Sequence, residues 1–195
     1  SSLRSGSLGG LTGGSLGSGL LLGEPVSVIV NHWPSRLGGQ KQSSYLREAA
    51  AALSKHIADS VLAINPKQKI IIMGDLNDDP MDPSCAEVLG AKRNVKDVEE
   101  GGWYNPWWDV LASGVGTLAY RGQWNLFDQI IINYNLVGKD RSTLKYFKCK
   151  VHNDIPGIRS EEGDRTGYPL RTFASGVYLN GYSDHFPTQI FLTRE

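Results

Sequence analysis

The chain has 195 residues, 40% of them apolar, which suits one folded domain and excludes wholesale disorder. Its 20 basic and 20 acidic residues cancel, so no global positive field gathers nucleic acid. Two well-separated cysteines, Cys85 and Cys149, give neither a disulfide framework nor a zinc site, and no apolar run reaches membrane-spanning length.

Residues 1–23 are almost entirely Ser, Gly and Leu, and Ser7-Leu8-Gly9 recurs as Ser15-Leu16-Gly17. This composition predicts a flexible linker or an ill-defined segment, although regularly placed leucines are unusual in a linker. The first residues also lack the charged-then-apolar order of a signal peptide. Folded character begins with Val26-Ser27-Val28-Ile29-Val30, a strand that runs into Asn31-His32-Trp33-Pro34-Ser35-Arg36. Ser44 is a suitable N-cap for a helix over residues 45–64. Its face of Leu46, Ala50, Leu53, Ile57, Val61 and Ile64 recurs every three to four residues. Asn65-Pro66 ends that helix, and Ile70-Ile71-Ile72-Met73 follows as a buried strand. Strand, helix, strand in this order predicts a right-handed crossover between neighbouring parallel strands.

After Met73 comes Gly74-Asp75-Leu76-Asn77-Asp78-Asp79. If the chain stays extended, Asp75 and Asn77 point the same way. A carboxylate and an amide at a strand end can hold a water beside a phosphate oxygen. The same residues also favour an ordinary turn, and both readings stay open. A short helix is expected over 83–89, then an aromatic loop with Trp103, Tyr104, Trp107 and Trp108. That loop could stack bases, dip into lipid, or simply pack. Strands are expected over 117–121, over 126–133 and over 187–193. The segment 146–152 alternates, with Phe147, Cys149 and Val151 on one face. A βαβ start followed by strands with few helices predicts a mixed α/β fold.

Four polar clusters stand at strand ends: Asn31-His32, Asp75/Asn77, Asp128 and Asp184-His185. Strand ends converge on one rim of a sheet. Hard carboxylate oxygens such as Asp184 suit Mg²⁺, which acidifies water and steadies charge on a phosphoryl oxygen. A histidine oriented by a carboxylate can stabilise that same charge. Cys149 and His152 would face opposite ways on a strand, and no serine nucleophile elbow is present.

Four motifs together resemble the endonuclease/exonuclease/phosphatase superfamily, and its Bacteroidetes-type members most. They are Asn31-His32-Trp33-Pro34-Ser35-Arg36, Gly74-Asp75-Leu76-Asn77-Asp78, Trp124-Asn125-Leu126-Phe127-Asp128-Gln129-Ile130 and Gly181-Tyr182-Ser183-Asp184-His185-Phe186-Pro187. The resemblance implies a four-layer α/β sandwich with mixed β-sheets, of the deoxyribonuclease I type. It implies Mg²⁺-dependent hydrolysis of a phosphodiester or phosphomonoester, with Mn²⁺ as a substitute. It assigns Asp75 to the attacking water or the leaving group, and Asn77 and His32 to the phosphate. Asp184 becomes the metal-side carboxylate, and His185, oriented by Asp128, steadies the phosphoryl oxygens. Asn31, Arg36 and Trp124 become substrate contacts. Nucleic acid, a phospholipid and a sugar phosphate all remain open as substrates.

Relatives carry an Asn and a metal-binding Glu ahead of these motifs. Here no Asn precedes Asn31, and Glu24 stands before Pro25 outside that context. Beside the linker or ill-defined segment over 1–23, the resemblance therefore implies the C-terminal portion of the domain over 24–195. It further implies one sheet without its partner sheet, and a missing N-terminal half as a partner. A catalytically incomplete binding module is the competing function.

Overall fold

The structure is a computed structural model, and it describes residues 4–8 and 14–195. In chain order the elements are β1 (Arg4–Leu8), β2 (Gly14–Leu21), β3 (Glu24–His32), α1 (Gln40–Ile64), β4 (Lys69–Asp75), β5 (Ala91–Lys92) and β6 (Trp103–Tyr104). Then come α2 (Trp107–Ala112), β7 (Leu118–Tyr120), β8 (Gln123–Asn125), β9 (Asp128–Asn133), β10 (Lys145–Val151), β11 (Phe173–Ala174), β12 (Val177–Tyr178) and β13 (Thr188–Thr193).

The described residues form a seven-stranded mixed sheet in the order β1-β2-β3-β4-β9-β6-β5. Strand β4 lies at its centre, parallel to β3 and antiparallel to β9. Its apolar run splits by alternation between the two faces. Ile70 and Ile72 join Ile29 and Ile131 under α1, where Ala50, Ala51 and Ala58 let the helix lie close. Ile71 faces the other way and joins Ile130, Ile132, Trp107 and Phe186. A small antiparallel sheet of β10 and β13 covers part of that second face. Helix, mixed sheet and second sheet are thus stacked as α/β layers.

Several expectations change here. Residues 14–21 are a strand and not a linker: β2 pairs with β3 from Ser15↔Val30 to Leu21↔Glu24. Leu16 packs on the α1-side core, and the Ser18 and Ser27 hydroxyls are 2.8 Å apart. Over residues 1–3 and 9–13 the linker expectation lies outside the described residues. A second sheet is present on the far face, where β10 and β13 pair antiparallel.

Helix α1 begins at Gln40 after Gly39, ahead of Ser44, whose hydroxyl instead donates to Glu48 Oε1 at 2.5 Å. Its buried face carries Ser43, Arg47, Ala50, Ala51, Ser54 and Ala58, while Leu53 and Ile64 are exposed. Polar residues are buried there because each has a partner. Ser54 donates to Asn31 Oδ1 at 3.1 Å, and Arg47 Nε lies 2.7 Å from Asp78 Oδ1. In β10 a register shift between Tyr146 and Lys148 turns Phe147 outward and Tyr146 inward. The aromatic loop is core: Trp103 and Trp107 are buried, and Trp107 Nε1 donates to Ile130 O at 3.0 Å.

Candidate functional site

Strand register places the reactive side chains. His32, the last residue of β3, pairs with Asp75, the last of β4, and Asp75 pairs with Asp128, the first of β9. Three polar side chains therefore stand in a row across three strands at one end of the sheet. Gly74 makes the row tight. Its φ is +137°, and a Cβ there would sit 1.8 Å from Asn31 O, so only glycine admits this approach.

His185 arrives from the turn before β13. Its Nδ1 lies 2.7 Å from Asp128 Oδ2 and 3.9 Å from Asp75 Oδ2. The same Asp75 oxygen has His32 Nε2 at 3.6 Å. Burial works against a charged His185 ring. The hydrogen bond and charge of Asp128, with the charges of Asp75 and Asp184, outweigh it and raise the pKa. Burial, and next the Asp128 charge, push the Asp75 pKa up, against the pull of His185, the Asn77 N–H and His32. The centre is thus a carboxylate of enhanced basicity between two imidazoles, one of them held by a second carboxylate.

Asn77 has a left-handed φ of 51°, stabilised by an Asx turn in which its backbone N–H donates to Asp75 Oδ1 at 3.0 Å. Its Nδ2 donates to Trp33 O at 2.8 Å, which ties the β4 exit to the β3 exit. Below this turn lies an anchor of opposite charges. Arg36 donates to Asn77 O and to Asp82, and Arg47, fully buried, meets Asp78. Arg47 also donates to the carbonyls of Pro34 and Gln40, fixing the segment that follows His32. Asp79 accepts from the Leu126 N–H at 2.7 Å, and burial raises its pKa to about 6.

The expected substrate contacts fare differently. Arg36 braces the Asp78–Asp82 loop and stacks 4.5 Å over the Phe127 ring, so its guanidinium is committed to the protein. Asn31 is buried against Ser54 on the α1 face, opposite His32, as strand alternation requires. Trp124 is stacked on Phe186 and edge-on to Tyr168 as part of the second core. Asn31 and Arg36 are thus engaged within the protein, and Trp124 is half-buried. Sequence reasoning also missed Arg47, which stands three residues before Ala50 on the buried face of α1. The missed signal for Asn31 was available, since neighbours on a strand face apart.

Asp75, Asp128 and His185 each offer one donor atom, and these lie within 4.8 Å of one another. The two carboxylate oxygens are hard donors of the kind Mg²⁺ takes while keeping most of its waters. The imidazole is a poorer ligand for it. Asp184, expected at the metal, stands outside this trio. It is exposed and lines a neighbouring crevice with Arg171, yet it is close enough for its charge to act on His185. Glu24 is at the far end of β3, paired with Lys69 and accepting from the Leu144 N–H, and so is structural.

A mannosyl-6-phosphatase of Bacteroides thetaiotaomicron shares this fold with a TM-score of 0.54 at 16% identity, over 92% of this chain and 56% of that one. D. rerio TDP2 in complex with single strand DNA product gives 0.52 at 15% identity, over 93% and 62%. Beta toxin of Staphylococcus aureus with bound magnesium ions gives 0.52 at 16%, over 94% and 58%. The chain thus spans less than two thirds of the length of these structures, and at such identities the likeness is one of fold. No curated protein sequence matches the chain. The model of the Endonuclease/Exonuclease/phosphatase family matches residues 15–194, a span that holds every rim residue described above. The chain belongs to the Endonuclease/Exonuclease/phosphatase family.

Proposed function

We propose that the Asp75/His185/Asp128 rim is a Mg²⁺-dependent phosphoester hydrolysis centre. One observation carries the reading: Asp75, its pKa raised by burial, lies between His32 and a His185 that Asp128 holds at 2.7 Å. Asp75 takes the proton of the attacking water. Its Oδ1 is fixed by the Asn77 N–H, so the carboxylate cannot swing away. The amide of Asn77 has a second N–H besides the one given to Trp33, and it donates to a phosphate oxygen. His185, its pKa raised by Asp128, stabilises charge on the phosphoryl group, while exposed His32 also contacts the phosphate. Asp128 and the nearby Asp184 would hold Mg²⁺, which leaves Asp75 free to act as the base. Mn²⁺ would substitute. When bound, the ion acidifies water and offsets phosphoryl charge.

A small phosphoester is favoured over a long polymer. Of the four aromatic residues that could have stacked bases or entered lipid, Trp103 and Trp107 are buried and Tyr104 and Trp108 half-buried. The neutral net charge adds no steering for a polyanion. The test is Mg²⁺-dependent turnover of bis-p-nitrophenyl phosphate, a sugar phosphate, plasmid DNA and a phospholipid, each beside Asp75→Asn. Turnover of the small esters that is lost in Asp75→Asn is expected. Equal background in both proteins would leave a binding module as the function.

A further inference from the structure

Next to the rim, a crevice of about 310 Å³ is lined by Arg171, Thr172, Phe173, Tyr182, Ser183 and Asp184. It sits at the base of the β11–β12 hairpin, and hydrogen bonds close that base. Thr172 Oγ1 donates to Gly181 O at 2.9 Å, and the Leu179 N–H donates to Thr172 O at 2.8 Å. A Cβ at Gly181 would lie 1.9 Å from Leu170 O, so the two legs touch only because residue 181 is glycine. The crevice is also tied to the reaction centre, because the His185 N–H donates to Ser183 Oγ at 3.1 Å.

Arg171 is the unexplained group. Its Nε is buried and has no hydrogen-bond partner among the described residues. The other guanidinium with an orphaned Nε, that of Arg47, has Asp78 2.7 Å away and is neutralised inside the fold. A buried N–H of a cation left without an acceptor is costly, and the side chain that carries it lines the crevice. Guanidinium recognises planar or tetrahedral oxyanions through a fork of parallel N–H bonds. Exposed Phe173 and Tyr182 flank it, and the Asp184 carboxylate accepts hydroxyls while repelling a second anion on its own side.

We infer that this crevice is an oxyanion subsite in which the Arg171 fork holds an acidic group of the substrate other than the scissile phosphate. Resting on the hydrolase reading, this makes the substrate a small phosphoester that carries a further phosphate or carboxylate. The volume suits one such group with part of a ring, not a polymer.

The test compares glucose 6-phosphate, glucose 1,6-bisphosphate and 6-phosphogluconate as substrates of the wild-type chain, Arg171→Gln and Arg171→Lys. Arg171→Gln is expected to raise KM at least tenfold for whichever two-anion compound the crevice takes. Its kcat should stay within twofold, and its KM for glucose 6-phosphate should not move. Arg171→Lys, with the charge but not the fork, should fall between. An equal KM change for all three compounds, or none for any, overturns the inference. Calorimetric titration with inorganic pyrophosphate, using Asp75→Asn with and without Arg171→Gln, reads the subsite without turnover. At least tenfold weaker binding on loss of Arg171 supports the subsite even if no compound is hydrolysed, in which case the hydrolase reading alone fails. Binding that is undetectable, or indifferent to Arg171, overturns the subsite.

Discussion

Replacing Asp128 by asparagine removes the charge that holds His185 and, on the reading above, a carboxylate that would hold Mg²⁺. The amide keeps the shape and can still accept from His185 Nδ1, which lies 2.7 Å away with both side chains about one-fifth exposed. What is lost is the negative charge. A hydrogen bond to a charged group contributes about 1.5–3 kcal/mol and a neutral one about 0.5–1.5 kcal/mol, so about 1–1.5 kcal/mol disappears. If His185 carries charge in the transition state, the hydrogen bond alone accounts for about a 5- to 13-fold fall in kcat at saturating Mg²⁺. The His185 pKa, raised chiefly against burial by this hydrogen bond and charge, should drop back, moving the alkaline limb of the pH–rate profile to lower pH. The sign extends to stability. A histidine whose folded pKa is raised adds stability that is complete below its unfolded value, about 6.5, and is lost as pH rises through the folded value. Asp128→Asn should therefore destabilise at about pH 5 and matter little at about pH 9. The assays are turnover of bis-p-nitrophenyl phosphate with pH, imidazole titration by NMR and melting at the two pH values. An unmoved alkaline limb together with an unmoved His185 titration would refute the pairing as a charge device.

Three further outcomes follow from other contacts. Gly74→Ala forces a Cβ to within 1.8 Å of the β3 backbone at a φ of +137°, and should cost about 3 kcal/mol or more, read as a Tm lower by roughly 6–12 °C. Arg47→Ala strands the buried Asp78 carboxylate and should cost about 3–5 kcal/mol in denaturant titration, with loss of turnover because the His32 and Asn77 segments loosen. Asp75→Asn should abolish turnover yet raise the melting temperature at neutral pH. A carboxylate whose folded pKa is raised lowers stability as pH climbs from its ordinary value through the raised one, and the amide removes that loss.

The sequence carried the parts of this molecule that rest on local pattern. The run from Ile70 into Gly74 and Asp75 marked the central strand, and the strand-end acids and histidines marked the rim, because apolar alternation and turn residues act over a few positions. What it hid was set by partners far along the chain. A Gly/Ser strand has a linker's composition, and only its ladder to β3 and the packing of Leu16 make it a strand. Arg47 and Ser54 take the buried face of α1 because Asp78 and Asn31 await them, 31 and 23 residues away. The bulge beside Phe147 depends on pairing with β13. Arg171 stands alone in a polar stretch, and nothing local distinguishes it from a solvated arginine.

The central claim is that Asp75 activates water to attack phosphorus. It is tested most directly by hydrolysing bis-p-nitrophenyl phosphate in ¹⁸O-labelled water with Mg²⁺ and following the label by mass spectrometry. The account predicts one labelled oxygen in the p-nitrophenyl phosphate product, none in the p-nitrophenol, and loss of the reaction in Asp75→Asn. Label in the phenol, or turnover that survives Asp75→Asn, would contradict it.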